Sequence, residues 1–180
     1  MTTKISNVLR TTAPSIAPGR SYQHLSRHDR PRIAAFFLSF DFDQRRAYFG
    51  GGMSDRAILG FCSAIDWTTT DMIARSGRYC LEALATIVAL SPDHTKAELA
   101  IACPLLCDQR RIIAELMSHV MELAATRYQS LVVRRELAHP DLIDELRQRE
   151  FATCRGEEIE IDLDPPGKAC LAREPIRLRA

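Results

Sequence analysis

Apolar residues recur along this chain with two different periods, and the switches between them mark out its elements. Residues 21–25 read as a short first strand. Ile33, Phe36, Phe37 and Phe40 then share one helical stripe, with Asp29 placed to cap it and Pro31 in its first turn. Gly50-Gly51-Gly52 stops the helical run, and Ser54 caps a second helix that turns Ile58, Leu59, Cys62 and Ile65 inward. Trp67 follows as a packing anchor for a loop that ends in Thr68-Thr69-Thr70. The period changes at that point. Residues 71–74 and 79–90 read as strands about the Ser76-Gly77 turn, the second apolar on both faces as a central strand should be.

After the Ser91-Pro92-Asp93 turn, the strand 97–103 has two unlike faces. Leu99, Ile101 and Cys103 make one; Glu98, Ala100 and Ala102 make the other, which is small and carries a single carboxylate. A helix follows from about residue 109 to 127, with Asp108 as a plausible N-cap and Ile112, Ile113, Leu116, Met117, Val120, Met121 and Ala124 at helical spacing. Residues 131–133 form a short β-rich run. Pro140 suits a helix N1 position, with Leu142, Ile143 and Leu146 as the inner stripe, and 158–163 alternate cleanly as a last strand. The order is strand, two helices, three strands, helix, strand, helix, strand: a mixed α/β domain.

Arg110 and Arg111 stand out in this pattern. A helix N-terminus is positive and repels cations, yet both arginines sit where the helix begins. A strand, turn and helix in succession is also a common place to hold a phosphate.

Composition narrows the picture further. A chain of 180 residues suits one domain with tails. Residues 1–20, broken by Pro14, Pro18 and Gly19, and 164–180, Pro-rich then basic, read as flexible tails around a domain at 21–163. The net charge of +1 leaves no nucleic-acid footprint. The longest apolar stretch, 81–90, is too short to span a membrane and contains Glu82 and Thr86. The first residues lack the apolar core of a secretory signal. The six cysteines are scattered and read as reduced thiols in a cytoplasm. Cys103, Cys107 and His119 match no zinc spacing, so no metal is expected.

The element order and several segments resemble the GNAT superfamily of acyl-CoA-dependent N-acyltransferases, in particular the acetyltransferase domains of bacterial protein-lysine acetyltransferases. The resemblance runs over roughly residues 21–163. It is carried by Phe36-Phe37, Tyr48-Phe49-Gly50-Gly51 and Met53-Ser54 at the front, by Ala97-Glu98-Leu99-Ala100-Ile101, and by His139-Pro140-Asp141-Leu142 leading to Glu150-Phe151. It implies a central mixed sheet of about six to seven strands flanked by about four helices. It also implies transfer of an acetyl or related acyl group from acetyl-CoA, or another acyl-CoA, to an amine of a protein lysine or a small molecule. A cytoplasmic monomer or homodimer is expected.

The departure from the family lies in its cofactor turn, Gln/Arg-x-x-Gly-x-Gly/Ala. Aligned without gaps, Arg111 and Ile113 fill the glycine positions; a one-residue shift recovers Gln109 and Ala114 but not the central glycine. Those glycines let backbone N–H groups approach a pyrophosphate. Arginine can compensate bidentately and isoleucine cannot. Two readings are open: a turn whose arginines took over from backbone donors, or a divergent regulatory or interaction module without catalysis.

Carried over by position, the resemblance implies cofactor contacts at Ala102, Cys103 and Leu105 on the strand end, at Gln109, Arg110, Arg111, Ile112 and Ile113 in the turn, and at His139. Pro104 helps end the strand ladder there. His139 also reads simply as a cap before Pro140. Glu98 is the candidate catalytic base, a carboxylate in an otherwise apolar strand where burial favours proton uptake. The competing reading pairs it with Lys96 or an arginine. Tyr128 is a weaker candidate for the acid that serves the leaving thiolate, and otherwise closes the helix end against the core.

Overall fold

A computed structural model describes residues 21–93, 95–104, 108–148 and 152–163. A single seven-stranded sheet runs through it in the order β1-β2-β3-β4-β5-β7-β6. The strands are β1 (Ser21–His24), β2 (Thr70–Ser76), β3 (Leu81–Ala89), β4 (Lys96–Ala102), β5 (Ser130–Arg134), β6 (Ala152–Arg155) and β7 (Glu158–Asp162). The helices are α1 (Arg30–Leu38), α2 (Phe42–Phe49), α3 (Asp55–Ala64), α4 (Gln109–Ala124) and α5 (Pro140–Arg147). Every strand pairing is antiparallel except β4–β5, which is parallel and bridged by α4.

The front of the chain makes three α-helices rather than two. Asp41 accepts from the Gln44 N–H at 2.8 Å while the Gln44 side chain accepts from the Asp41 N–H at 3.0 Å, a reciprocal capping box that starts α2. Gly50, at φ 71°, ends α2 in the left-handed region where glycine carries no Cβ penalty. Arg45 of α2 then ties the front together. Its guanidinium donates to the carbonyls of Leu38 (3.0 Å), Phe40 (3.0 Å) and Met53 (3.1 Å) and pairs with Asp55 at 2.7 Å. That hub satisfies the end of α1 and fixes how α2 lies.

Alternation in β2, β3 and β4 sends side chains to two cores, one on each face of the sheet. Ile73, Ala85, Ile87, Leu99 and Ile101 pack under α4 and α5. Met72, Ala74, Leu84 and Ala102 pack under α1 and α3, whose Phe36 and Phe37 lead a cluster of tilted and edge-on rings. Trp67 packs at the margin of this second core. The last strand forms as expected from its alternation, but it turns back at Gly156 from a further strand, β6, that the apolar pattern does not announce. The stretches 1–20 and 164–180, read as tails, lie outside the described residues, as do Leu105, Cys107 and the Glu150-Phe151 pair.

Candidate active site

The parallel pair β4–β5 is short. Lys96, Ala97 and Glu98 lie opposite Ser130, Leu131 and Val132, and there the ladder stops. β4 continues against β3 as far as the Ala102–Leu84 pair, and β5 continues against β7 through Val133–Ile159 and Arg134–Glu158. The two strands therefore part like a V. Beyond the parting, the Leu99 carbonyl and the Ile101 backbone groups of β4 face the gap outside any ladder, groups that need hydrogen-bond partners from elsewhere. The carbonyls of Cys103 and Arg134 accept from the Gln109 side chain and the Leu137 N–H.

A cavity of about 520 Å³ occupies the open end of the V. Its walls include Ala102, Cys103 and Pro104 of the β4 end, Tyr48 of α2, Gln109 at the start of α4 and His139 at the start of α5. A second cavity of about 230 Å³ reaches the apex, where Glu98, Arg134, Tyr48 and Thr86 line it. The two share Tyr48, Ile101, Leu137 and Ala138, so they form one groove with a wide mouth and a narrow inner end.

The turn residues divide according to which way the helix aims them. Asp108 precedes α4 at φ 85°, ψ 33° and offers no side-chain cap. The first N–H groups of α4, those of Gln109, Arg110 and Arg111, lie ahead of the helical ladder, whose first bond runs from Ile112 N–H to Asp108 C=O at 3.1 Å. The Gln109 side chain donates to the Cys103 carbonyl at 3.2 Å and ties helix start to strand end. Arg111 folds back along the helix to Glu115 at 2.7 Å and stands 3.7 Å from Asp108. Arg110 is exposed, with no ion pair among the described residues. Ile112 and Ile113 are buried in the core beneath α4. Of the five turn positions, Gln109 alone contributes a side chain to the groove wall among the described residues.

Glu98 lies at the inner end, one-quarter exposed, with its carboxylate forked to Arg134: Nε to Oε1 at 3.0 Å and Nη2 to Oε2 at 3.1 Å. Lys96 pairs instead with Glu160 at 3.2 Å. Tyr48 places its hydroxyl 3.1 Å from the Thr86 Oγ1, and burial pushes it up to about 12, against the opposing effect of that contact. It stays a protonated donor throughout the physiological range. Burial likewise pushes the Cys103 thiol up to about 11, which makes it a packing group and not a nucleophile. His139 caps α5 by accepting the Asp141 N–H at Nδ1, 3.2 Å away, and burial holds it below its ordinary value. Tyr128 lines neither cavity; its hydroxyl donates to Asp71 at 3.0 Å where α4 ends.

Tyr48 and Arg134 are the site residues that sequence reasoning passed over. Tyr48 belongs to α2, whose local signals are the Asp41–Gln44 box and the Gly50 stop, neither of which marks a site. Arg134 meets Glu98 across 36 positions of chain, and no local pattern foretells that. Among the described residues no group of three or more His, Cys, Asp and Glu is placed to hold a metal ion, and no helix is long and apolar enough to cross a membrane.

No family model and no curated protein matches this sequence. Solved structures do match it. The GNAT domain of a protein acetyltransferase from S. lividans superposes with a TM-score of 0.60 at 12% identity, over 78% of this chain and 87% of that one. Aminoglycoside 6'-acetyltransferase type Ii gives 0.60 and 12%, over 81% and 98%. The Salmonella typhimurium protein yncA, solved with its cofactor acetyl-CoA, gives 0.60 and 9%, over 81% and 95%. At such identities the likeness is one of architecture: this protein has the fold of the GNAT N-acetyltransferases.

Proposed function

We propose that the protein is an N-acyltransferase, active in the cytoplasm, that moves an acetyl or related acyl group from acyl-CoA to an amine. The observation that carries the reading is the parting of β4 from β5 beyond Glu98 and Val132, with a groove in the gap. The amide-bearing arm of acyl-CoA is an extended chain of donors and acceptors. It fits an unpaired strand edge as an added strand would. Residues 99–103 supply that edge, with Ala102 and Cys103 in the groove wall. The uncapped start of α4 offers the N–H groups of Gln109, Arg110 and Arg111 to a pyrophosphate, and Arg110, exposed and without an ion pair among the described residues, is a cation placed beside them. Ile112 and Ile113 turn their side chains into the core, so they leave that approach open although neither is glycine. His139 and the start of α5 close the opposite side of the mouth.

The reaction joins the amine nitrogen to the thioester carbonyl carbon and breaks the carbon–sulfur bond. CoA leaves as a thiol and one proton leaves the amine. Glu98, at the inner end, takes that proton once Arg134 releases it, directly or through one water. Tyr48 faces both cavities and is the hydroxyl donor for the carbonyl oxygen or the departing sulfur.

Titrating acetyl-CoA against thermal unfolding tests the reading. At about 100-fold excess over Kd, stabilisation is about 2.7 kcal/mol, roughly 5–11 °C in Tm for a domain of this size. No shift at millimolar acetyl-CoA ends the proposal. Glu98→Gln then tests the base: kcat falls by about 100-fold or more with acetyl-CoA binding intact. Unchanged turnover across pH removes Glu98 from the mechanism.

A further inference from the structure

The inner cavity has an unusual wall. Phe49, Phe61, Val88 and Leu142 make most of it apolar, and into that surface is set one ion pair, Glu98–Arg134. Among the described residues the buried charges sit in webs, whereas Arg134 is half exposed and Glu98 one-quarter exposed. Asp71 meets Arg127, the Tyr128 hydroxyl and His24, and Arg75 meets Glu82 and Glu115. Glu98 and Arg134 have only each other among the described residues. An ion pair that solvent reaches adds little to stability, because water screens its attraction. Both members line the space and both are satisfied by a single partner, so each is free to exchange that partner for a ligand.

The charges define what such a ligand carries. An ammonium that reaches Glu98 displaces Arg134, and the fork then lacks its carboxylate. A ligand with a carboxylate beside its ammonium restores both contacts and leaves the local charge at zero. The guanidinium fork matches a carboxylate bidentately. The apolar remainder of the wall takes an apolar side chain.

Resting on the acyltransferase reading, we infer that the acceptor is a small zwitterion, an α-amino acid with an apolar side chain, whose ammonium exchanges onto Glu98 and whose carboxylate exchanges onto Arg134. Arg134 thereby sets specificity, and the acceptor itself frees the carboxylate that is to receive its proton.

Calorimetry on the full chain in the presence of CoA tests this without requiring transfer. The probes are L-leucine, L-methionine and L-phenylalanine, each against its own carboxamide, with spermidine as an acceptor that has no carboxylate. The expected result is binding of the acids, with the amides weaker by about tenfold or more, the scale of a lost charge-assisted bond pair. In Arg134→Met the gap between acid and amide closes. In Arg134→Lys, which keeps the charge and loses the fork, it narrows without closing, and this variant carries the test if the Met form does not fold. Equal binding of acids and amides, or tighter binding of spermidine, overturns the proposal. So does no binding of any acid. In that case a persisting acetyl-CoA shift in Tm leaves the acyltransferase reading standing and points to another acceptor class.

Discussion

Asp108 holds φ 85° and ψ 33°, a backbone that L side chains other than Asn and Asp rarely adopt. It also places a carboxylate at a helix start that would otherwise welcome an anion. Asp108→Gly relieves the strain, and the greater freedom of glycine in the unfolded chain offsets that gain, so stability changes by less than about 1 kcal/mol. Removing the charge tightens acetyl-CoA by about two- to fivefold, the worth of one charge near a helix terminus. Denaturant unfolding and calorimetry measure the two. An unchanged or weaker Kd means that the phosphates bind elsewhere. His139 gives a pH signature at the same mouth. Its Nδ1 caps α5 only while unprotonated, and burial, opposed by Asp141, lowers it below its ordinary 6.5. The unfolded chain therefore takes up the proton first. The contribution is complete above about pH 6.5 and is lost as pH falls through the lower folded value. His139→Asn keeps a capping side chain without a titration. Its Tm is expected to fall less than that of the parent between pH 7.5 and 5; parallel losses would place the acid sensitivity elsewhere.

At the scale of elements, α4 is held at both ends by charges that β2 buries. Near its start, Arg75 is 1% exposed and pairs with Glu82 at 3.1 Å and Glu115 at 3.6 Å; Glu115 also accepts the Tyr22 hydroxyl at 2.7 Å. Near its end, Asp71 receives Arg127 and Tyr128. Stranding a buried charge costs far more than removing it. The double change Glu82→Gln, Glu115→Gln is expected to cost about 3–5 kcal/mol. Arg75→Met, which removes the cation and leaves two solvent-reached carboxylates, costs clearly less. Equal losses in urea unfolding would contradict the clasp. Local sequence foretold the apolar row of α4, since Ile112, Ile113, Leu116, Met117 and Val120 repeat at the helical period. It did not foretell the clasps, because Arg75 and Glu115 meet across the fold. α2 escaped because it buries no residue fully and so has no apolar stripe to read. β6 escaped for a related reason, its residues being mostly exposed on an edge. Glu98 and the β4 end were legible as a small face with one carboxylate; the parting of β4 from β5 and the Arg134 partner were not, because both depend on where two distant strands stop pairing.

On the scale of the whole molecule, the sheet separates two cores, and β4 and β5 part within the sheet instead of at a rim. β1 and β6 are the outer edges, as any open sheet has. The inner edge of β4 is a different matter, because it puts the backbone groups of Leu99 and Ile101, which face away from β3, beside a cavity in the middle of the fold. An interior edge of this kind leaves amides reachable by water without unfolding, so they exchange by local access while their neighbours in α4 exchange through larger openings. Acetyl-CoA lying along that edge covers them. At about 100-fold excess over Kd, the amides of Ile101 and Cys103, which alternate toward the V while those of Ala100 and Ala102 pair with β3, are expected to slow by about tenfold or more beyond whatever the molecule gains as a whole. Those of the buried row in α4 follow the global change alone. Hydrogen exchange with and without acetyl-CoA separates the cases. Protection spread evenly over the sheet, or gathered at β1 or β6, would mean that the ligand stabilises the fold from outside the V and that the interior edge has some other use.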